Sequence, residues 1–251
     1  MSRSWGSPIP WIKWSLARFG LRLTRLGDTN DLYSHLLQVF LRLGINCVLD
    51  VGAHRGDYGA GLRRLGYRGR IVSFEPVPEN YAALSTLCAA DRDWRAYSFA
   101  LGDREGQAEI NVMAESVFSS VLTASEYGKS TFGEKMEICR RQNVDLKRLD
   151  TVFDECVSGI TEPRVFLKTD TQGLDLTVIE GAGSSLFRVS GLQAEVAVRP
   201  IYQGMSNGLA ETLTALEKQG FGVTGLFPVS RDPSDGLRVI EFDCVMCRPP
   251  R

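Results

Sequence analysis

Residues 47–56 read Cys-Val-Leu-Asp-Val-Gly-Ala-His-Arg-Gly, an apolar run that ends near an acid and is followed by two glycines four positions apart. Twenty-three residues beyond Gly52, a second apolar run, Ile71-Val72-Ser73-Phe74, closes on Glu75. A strand, a glycine turn, a helix and a second strand ending in an acid are the opening unit of an open α/β sheet. That unit holds a nucleotide-like ligand beyond the carboxyl ends of its strands. Gly52 permits the sharp turn at the strand end, and Gly56 lets the next helix begin close to the sheet. Glu75 can accept hydrogen bonds from both hydroxyls of a ribose.

The variant of the loop narrows the ligand. A dinucleotide-binding loop carries Gly-x-Gly-x-x-Gly, with a helix N-terminus against the pyrophosphate. Here His54 replaces the middle glycine, and the last glycine comes one residue early. Asp50 would set a negative charge where a pyrophosphate needs positive character, whereas it suits an ammonium or a sulfonium. A ribose with a cationic tail describes S-adenosylmethionine. The expected cofactor-binding residues are Asp50, Gly52, Ala53, His54, Gly56, Glu75 and Pro76. The competing reading is a plain glycine turn flanked by two surface acids.

The chain has 251 residues, 43% hydrophobic and 24% charged, which fits one soluble globular domain with a small appendage. A net charge of −1 gives no electrostatic case for a nucleic-acid partner. The charge is uneven, because residues 1–26 carry Arg3, Lys13, Arg18, Arg22 and Arg25 and no acid. Ile12, Leu16, Phe19, Leu23 and Leu26 share a helical stripe there, and Trp5, Trp11 and Trp14 lie close by. The expected division is therefore a basic amphipathic segment over 1–30 and a catalytic domain over 31–251. A basic amphipathic helix can lie on an anionic membrane through residues 9–26, bind a partner, or dock on its own domain. With no secretory signal pattern and no long apolar run, the expected location is cytoplasmic, with the inner membrane face as its alternative. Six scattered cysteines do not make a disulfide scaffold. Cys244 and Cys247 fall in an apolar run that reads as a strand, so their sulfurs point to opposite faces.

Further along, a helical stripe covers Leu32, Leu36, Val39, Phe40 and Leu43. Strands are expected at 47–51, 70–75 and 95–101, alternating with helices near 58–65 and 79–89, which is the first half of a doubly wound sheet. An extra strand is expected at 108–113, a Ser/Thr/Gly-rich loop over 115–132, and a strand at 144–149 followed by a short helix. The alternation resumes with strands at 165–170 and 192–198 and helices at 174–186 and 209–219. Strands at 222–227 and 239–246 close the chain. Their link contains Pro233 and Gly236 and no helical pattern, so they are expected to pair as an antiparallel hairpin.

The second dense signal is Phe166-Leu167-Lys168-Thr169-Asp170-Thr171-Gln172-Gly173. Strand alternation sets Lys168 and Asp170 on one side, with Asp170 at the carboxyl end, where ligands of open α/β sheets sit. The two form either a catalytic pair or a structural ion pair. Asp170 is the candidate base, with Lys168 fixing its geometry. His54 is the rival base, since its ordinary pKa of about 6.5 suits proton transfer, or else a contact to the cofactor. Glu195 and Arg199 could bind substrate or pair with each other. Ser119, in the Ser116–Ser120 run, lies in a pocket wall or a solvated connection. Asp103 is a candidate for the adenine amino group or a surface turn. No cluster of metal ligands is visible.

Leu49-Asp50-Val51-Gly52-Ala53-His54-Arg55-Gly56, Phe74-Glu75-Pro76-Val77-Pro78-Glu79-Asn80, Ala100-Leu101-Gly102-Asp103, Leu149-Asp150 and Leu167-Lys168-Thr169-Asp170-Thr171-Gln172-Gly173 follow one another in order. Together, over about Asp31 to Cys247, they resemble the FkbM family of S-adenosylmethionine-dependent methyltransferases. Three positions depart from that family: His54 stands where Asn is usual, Gln172 where Glu is common, and Thr169 where an apolar residue is common. The resemblance implies a Rossmann-like seven-stranded sheet in the order 3-2-1-4-5-7-6, last strand antiparallel, with helices on both faces. It also implies O-methylation of a hydroxyl-bearing small molecule or glycan, often a sugar in a glycolipid, polysaccharide or secondary metabolite. Gln172, Glu195, Arg199 and Ser119 are the expected substrate contacts. The contrasting function is a cofactor-binding partner or scaffold without transferase activity.

Overall fold

The computed structural model describes residues 32–249. The basic segment expected over 1–30, with its membrane contact through 9–26, lies outside the described residues. The elements run α1 (Leu32–Leu43), β1 (Cys47–Val51), α2 (Asp57–Arg64), β2 (Arg70–Phe74), α3 (Pro78–Ala89), β3 (Trp94–Tyr97), β4 (Ala100–Gly102) and β5 (Gly106–Met113). Then follow α4 (Glu126–Phe132), β6 (Ile138–Arg148), α5 (Leu149–Val157), β7 (Val165–Thr169), α6 (Asp175–Gly181), β8 (Val189–Ala197), α7 (Leu209–Lys218), β9 (Gly222–Arg231) and β10 (Val239–Cys247).

Seven strands form one sheet in the order β3-β2-β1-β7-β8-β10-β9. Counted within this sheet alone, that is the expected 3-2-1-4-5-7-6. Its neighbours are parallel except β10, which runs antiparallel to β8 and to β9. The expected terminal hairpin is therefore present. β1 and β7 are buried at every position, as central strands covered on both faces must be. Strand alternation splits their side chains between two cores. Leu49, Leu167, Leu192 and Cys244 pack with α5, α6 and α7, while Val48, Ile71, Phe166 and Val245 pack with α1, α2 and α3. Cys247 packs against the second core, so it and Cys244 do face opposite ways, and both are free thiols. The His35 ring on α1 packs at a tilt against Phe227, 5.3 Å between centres, and lies 3.0 Å from the Thr224 hydroxyl, joining α1 to β9.

Several boundaries depart from expectation. The run 95–101 is not one strand: the chain bends at Ser98-Phe99, and β4 leaves for a second sheet in the order β4-β6-β5. The stretch 115–132 is not all loop, because it holds a short 3-10 turn at Ser116–Phe118 and α4, whose Ser125 hydroxyl accepts from the Gly128 N–H. The helix expected over 174–186 is α6 followed by a 3-10 turn at Gly183–Arg188. No helix among the described residues is long and apolar enough to cross a membrane.

Candidate active site

Beyond the carboxyl ends of β1, β2 and β7 lies a cavity of about 470 Å³, a volume typical of small-molecule sites. Of the expected residues, Gly52, His54, Glu75, Pro76, Asp103, Ser119, Asp170, Gln172 and Glu195 line it, whereas Asp50, Ala53, Gly56, Lys168 and Arg199 do not.

The turn after β1 makes the floor. Gly52 has φ +73°, and a Cβ there would fall 1.9 Å from the Asp170 carbonyl oxygen. Only glycine lets the ends of β1 and β7 approach this closely. The Gly52 and Ala53 N–H groups both donate to the Phe74 carbonyl at 3.1 Å, which ties the turn to β2. His54 also has a positive φ, 50°, and its backbone N–H donates to Glu75 Oε2 at 2.8 Å. Gly56 begins α2 against Leu84, Leu87 and Trp94, so it serves packing rather than ligand contact.

Glu75 is nearly buried, and the Val77 N–H donates to its Oε1 at 2.9 Å. The Asn80 amide lies 3.5 Å from the same oxygen. These donors fix the plane of the carboxyl and leave lone pairs toward the cavity. Burial nonetheless pushes the Glu75 carboxyl up to about 7, against the pull of the Val77 and His54 N–H groups. His54 moves the other way: burial, then Arg55, lower its imidazole below the ordinary histidine value. Its Nε2 sits 2.8 Å from the Ser116 hydroxyl, a contact that links the β1 turn to the chain crossing over the cavity.

The expected role of Asp50 is corrected. Asp50 does not face a ligand: it is fully buried, with Oδ1 3.0 Å from Lys168 Nζ and the Ser73 hydroxyl donating to Oδ2 at 3.2 Å. The cause is register. Lys168 on β7 and Ser73 on β2 lie directly opposite Asp50 on either side, so all three side chains share one face. Lys168 also donates to the Gly52 carbonyl at 3.0 Å and lies 3.5 Å from Asp170 Oδ2. Burial disfavours its charge, but Asp50 and then Asp170 outweigh burial and hold the ammonium above the ordinary lysine range.

Asp170 is the open carboxylate of this group, with its side chain 40% exposed against 0% for Asp50. The Gln172 amide fixes its second oxygen, since Nε2 donates to Asp170 Oδ1 at 2.9 Å and to Glu195 Oε2 at 3.0 Å. Tyr202, buried beneath, donates to Gln172 Oε1 at 2.7 Å and so sets which way the amide faces. Gln172 itself holds a positive φ of 52°, an uncommon conformation for a side chain of this type. Glu195 and Glu241 complete this wall. Burial, then Glu241, push Glu195 well above the carboxylate range, and burial pushes Glu241 up to about 7. Arg199 is corrected as well. β8 ends at Ala197, and Arg199 turns outward, 5.8 Å from the Tyr127 ring, away from Glu195 and the cavity. Among the described residues, no group of three or more His, Cys, Asp or Glu side chains is placed to hold a metal ion.

The family model of the methyltransferase FkbM domain matches residues 50–223. This chain belongs to the FkbM methyltransferases. No curated protein matches this FkbM methyltransferase. Among solved structures it is similar to the methyltransferase FkbM of Methylobacillus flagellatus KT, with 14% identity and a TM-score of 0.50. That match covers 81% of this chain and 43% of the other, so this chain spans less than half of that protein's length. It is also similar to Aeropyrum pernix fibrillarin, crystallised with S-adenosyl-L-methionine, at 14% identity and a TM-score of 0.42, covering 84% of this chain and 73% of the other. A third likeness is to the glycopeptide N-methyltransferase MtfA, at 12% identity and 0.42, covering 90% and 100%. At these identities the likenesses concern the fold.

Four residues of the FkbM site were given no role of their own in the sequence. Asn80 carried a signal, since it follows the Glu75 turn in the first turns of α3. Ser116 was read only as part of a serine run. Tyr202 and Glu241 carried none, because they reach the wall from distant stretches that only the tertiary fold brings together.

Proposed function

We propose that this FkbM methyltransferase transfers a methyl group to a hydroxyl of a sugar-like acceptor, in a glycolipid, polysaccharide or secondary metabolite. The cofactor is S-adenosylmethionine, which when bound supplies a methyl group already activated on a sulfonium. The residues present fit it. Glu75 offers fixed acceptor oxygens suited to a ribose diol, the Gly52–His54 turn frames the neighbouring floor, and Asp103 lines the cavity as the candidate for the adenine amino group.

With an activated donor, the protein's main work is to orient the acceptor and exclude water. An alcohol becomes a strong nucleophile as its proton leaves, so a base within reach is required. The observation that carries this reading is Asp170, a cavity-lining carboxylate held by Lys168 on one oxygen and by Gln172 on the other. His54 already spends Nε2 on Ser116, which favours a contact role over a base role. Gln172, Glu195 and Ser119 remain the proposed acceptor contacts, and Arg199, outside the cavity, leaves the set.

Incubation with S-adenosylmethionine and a panel of hydroxylated glycans tests the proposal by mass spectrometry. One added methyl on oxygen is the expected product. A methyl on nitrogen contradicts the acceptor chemistry, and saturable cofactor binding with no product on any acceptor supports the scaffold role instead.

A further inference from the structure

A second cleft, of about 450 Å³, opens at the amino ends of β7 and β8, the end of the main sheet opposite the catalytic cavity. The chain brings four arginines to it. Arg42 lies in the last turn of α1, Arg164 just before β7, Arg188 just before β8, and Arg248 just after β10. The acid in its lining is Glu162. Arg188 is spent on an ion pair with Asp154. Arg248 is fixed in place: Nε donates to the Val189 carbonyl at 3.2 Å, Nη2 donates to the Leu186 carbonyl at 3.3 Å, and the guanidinium lies 4.1 Å from the Phe221 ring centre. Arg42 and Arg164 are exposed, and no carboxylate among the described residues pairs with either.

Four arginines against Glu162 and Asp154 leave an excess of positive charge in one concavity, which is unfavourable by Coulomb repulsion and is relieved by an anion. Arginine's planar fork suits a phosphate oxygen pair in particular. The apolar residues beside the cleft narrow the source of that phosphate. Leu41, next to Arg42, is 75% exposed, and Phe187, next to Arg188, is 59% exposed. A free phosphate gains nothing from them, whereas a lipid surface offers both a phosphate layer and an apolar boundary for such side chains.

We propose that this cleft binds the phosphate headgroups of anionic lipids, with Arg42 and Arg164 as its principal contacts, and seats the protein on a membrane surface. The carboxyl ends of the strands, which carry the catalytic cavity, then face solution. The residues that line this site all lie among the described residues, and the proposal does not depend on the identity of the methyl acceptor.

The test is co-sedimentation of the full chain with vesicles of phosphatidylglycerol and phosphatidylcholine, against vesicles of phosphatidylcholine alone. The wild type is expected to bind only the anionic vesicles. At about 1 kcal/mol per arginine near an anionic surface and a tenfold loss per 1.4 kcal/mol, Arg42→Gln with Arg164→Gln should weaken binding about thirtyfold, and Arg42→Glu with Arg164→Glu further. Arg92→Glu, whose side chain is 95% exposed elsewhere on the domain, should bind much as the wild type does. Circular dichroism confirms that each variant is folded. Three results overturn the proposal: no binding of the wild type to anionic vesicles, undiminished binding of the paired variants, or a loss from Arg92→Glu as large as theirs. Saturable binding of inorganic phosphate that requires Arg42 and Arg164, without vesicle binding, assigns the cleft to a soluble phosphate and overturns the lipid source.

Discussion

Glu75, the proposed ribose contact, is a carboxyl held between burial and two backbone donors. Its orientation is fixed by the N–H groups of His54 and Val77, while burial pushes it up to about 7. Hydroxyl donors favour the ionised form, so cofactor binding and proton release are linked. The affinity for S-adenosylmethionine should hold steady above about pH 8, and fall toward a tenfold loss per pH unit well below 7. Calorimetry at pH 5.5, 6.5 and 8 reads this out. Glu75→Gln should bind weakly at every pH, and an unchanged slope in that variant would exclude Glu75 as its source. The place of Glu75 in the cavity wall was legible in the sequence because an acid closing the second strand lies at the carboxyl end of the sheet, where the cavity opens. Asp50 was misread because its partner, Lys168, comes from a distant segment, and only the β1–β7 register reveals that its charge is already matched.

At the scale of elements, the site depends on the end of β7 and on what braces it. Gln172 extends one amide to two carboxyls, and Tyr202 from beyond β8 holds that amide's oxygen. Tyr202→Phe removes the brace while keeping the ring. Turnover should drop by roughly tenfold, about the effect of one lost hydrogen bond, with the cofactor Kd unchanged. A lowered Tm with normal kcat would make Tyr202 a purely structural residue. Most elements were legible because apolar periodicity and glycine stops are local signals. α4 was not: in Glu126-Tyr127-Gly128-Lys129-Ser130-Thr131-Phe132 only Gly128 is buried, and the two half-buried aromatics, Tyr127 and Phe132, are too few to read as an apolar stripe. Nor could the run 95–101 report that its second half would pair with β6 instead of continuing in the main sheet.

For the whole molecule, the buried carboxyls set a pH dependence of stability. Burial pushes Glu75, Asp175 and Glu241 up to about 7 and Asp243 to about 6, with Glu195 raised well above the ordinary range. Unfolded, these groups would titrate near 4. Between about pH 4.5 and 7 the folded chain therefore holds protons that the unfolded chain has released, and stability declines as pH rises through that window. Without cofactor, Tm by circular dichroism should be higher near pH 5.5 than at pH 8. A Tm that climbs steadily across the same range would mean these acids are ionised in the fold. The seven-stranded sheet was readable as a whole from the alternation of its elements, whereas the convergence of five acids at one end of it is a property of packing. Beside those five acids stands Asp170, open to the cavity and braced by Lys168 and Gln172, and it is the proposed base. Single-turnover methyl transfer by Asp170→Asn, measured beside its affinity for S-adenosylmethionine, tests that assignment most directly. We expect cofactor affinity within about twofold of wild type and a transfer rate lower by about 10²–10⁴. A transfer rate equal to the wild type's would contradict it.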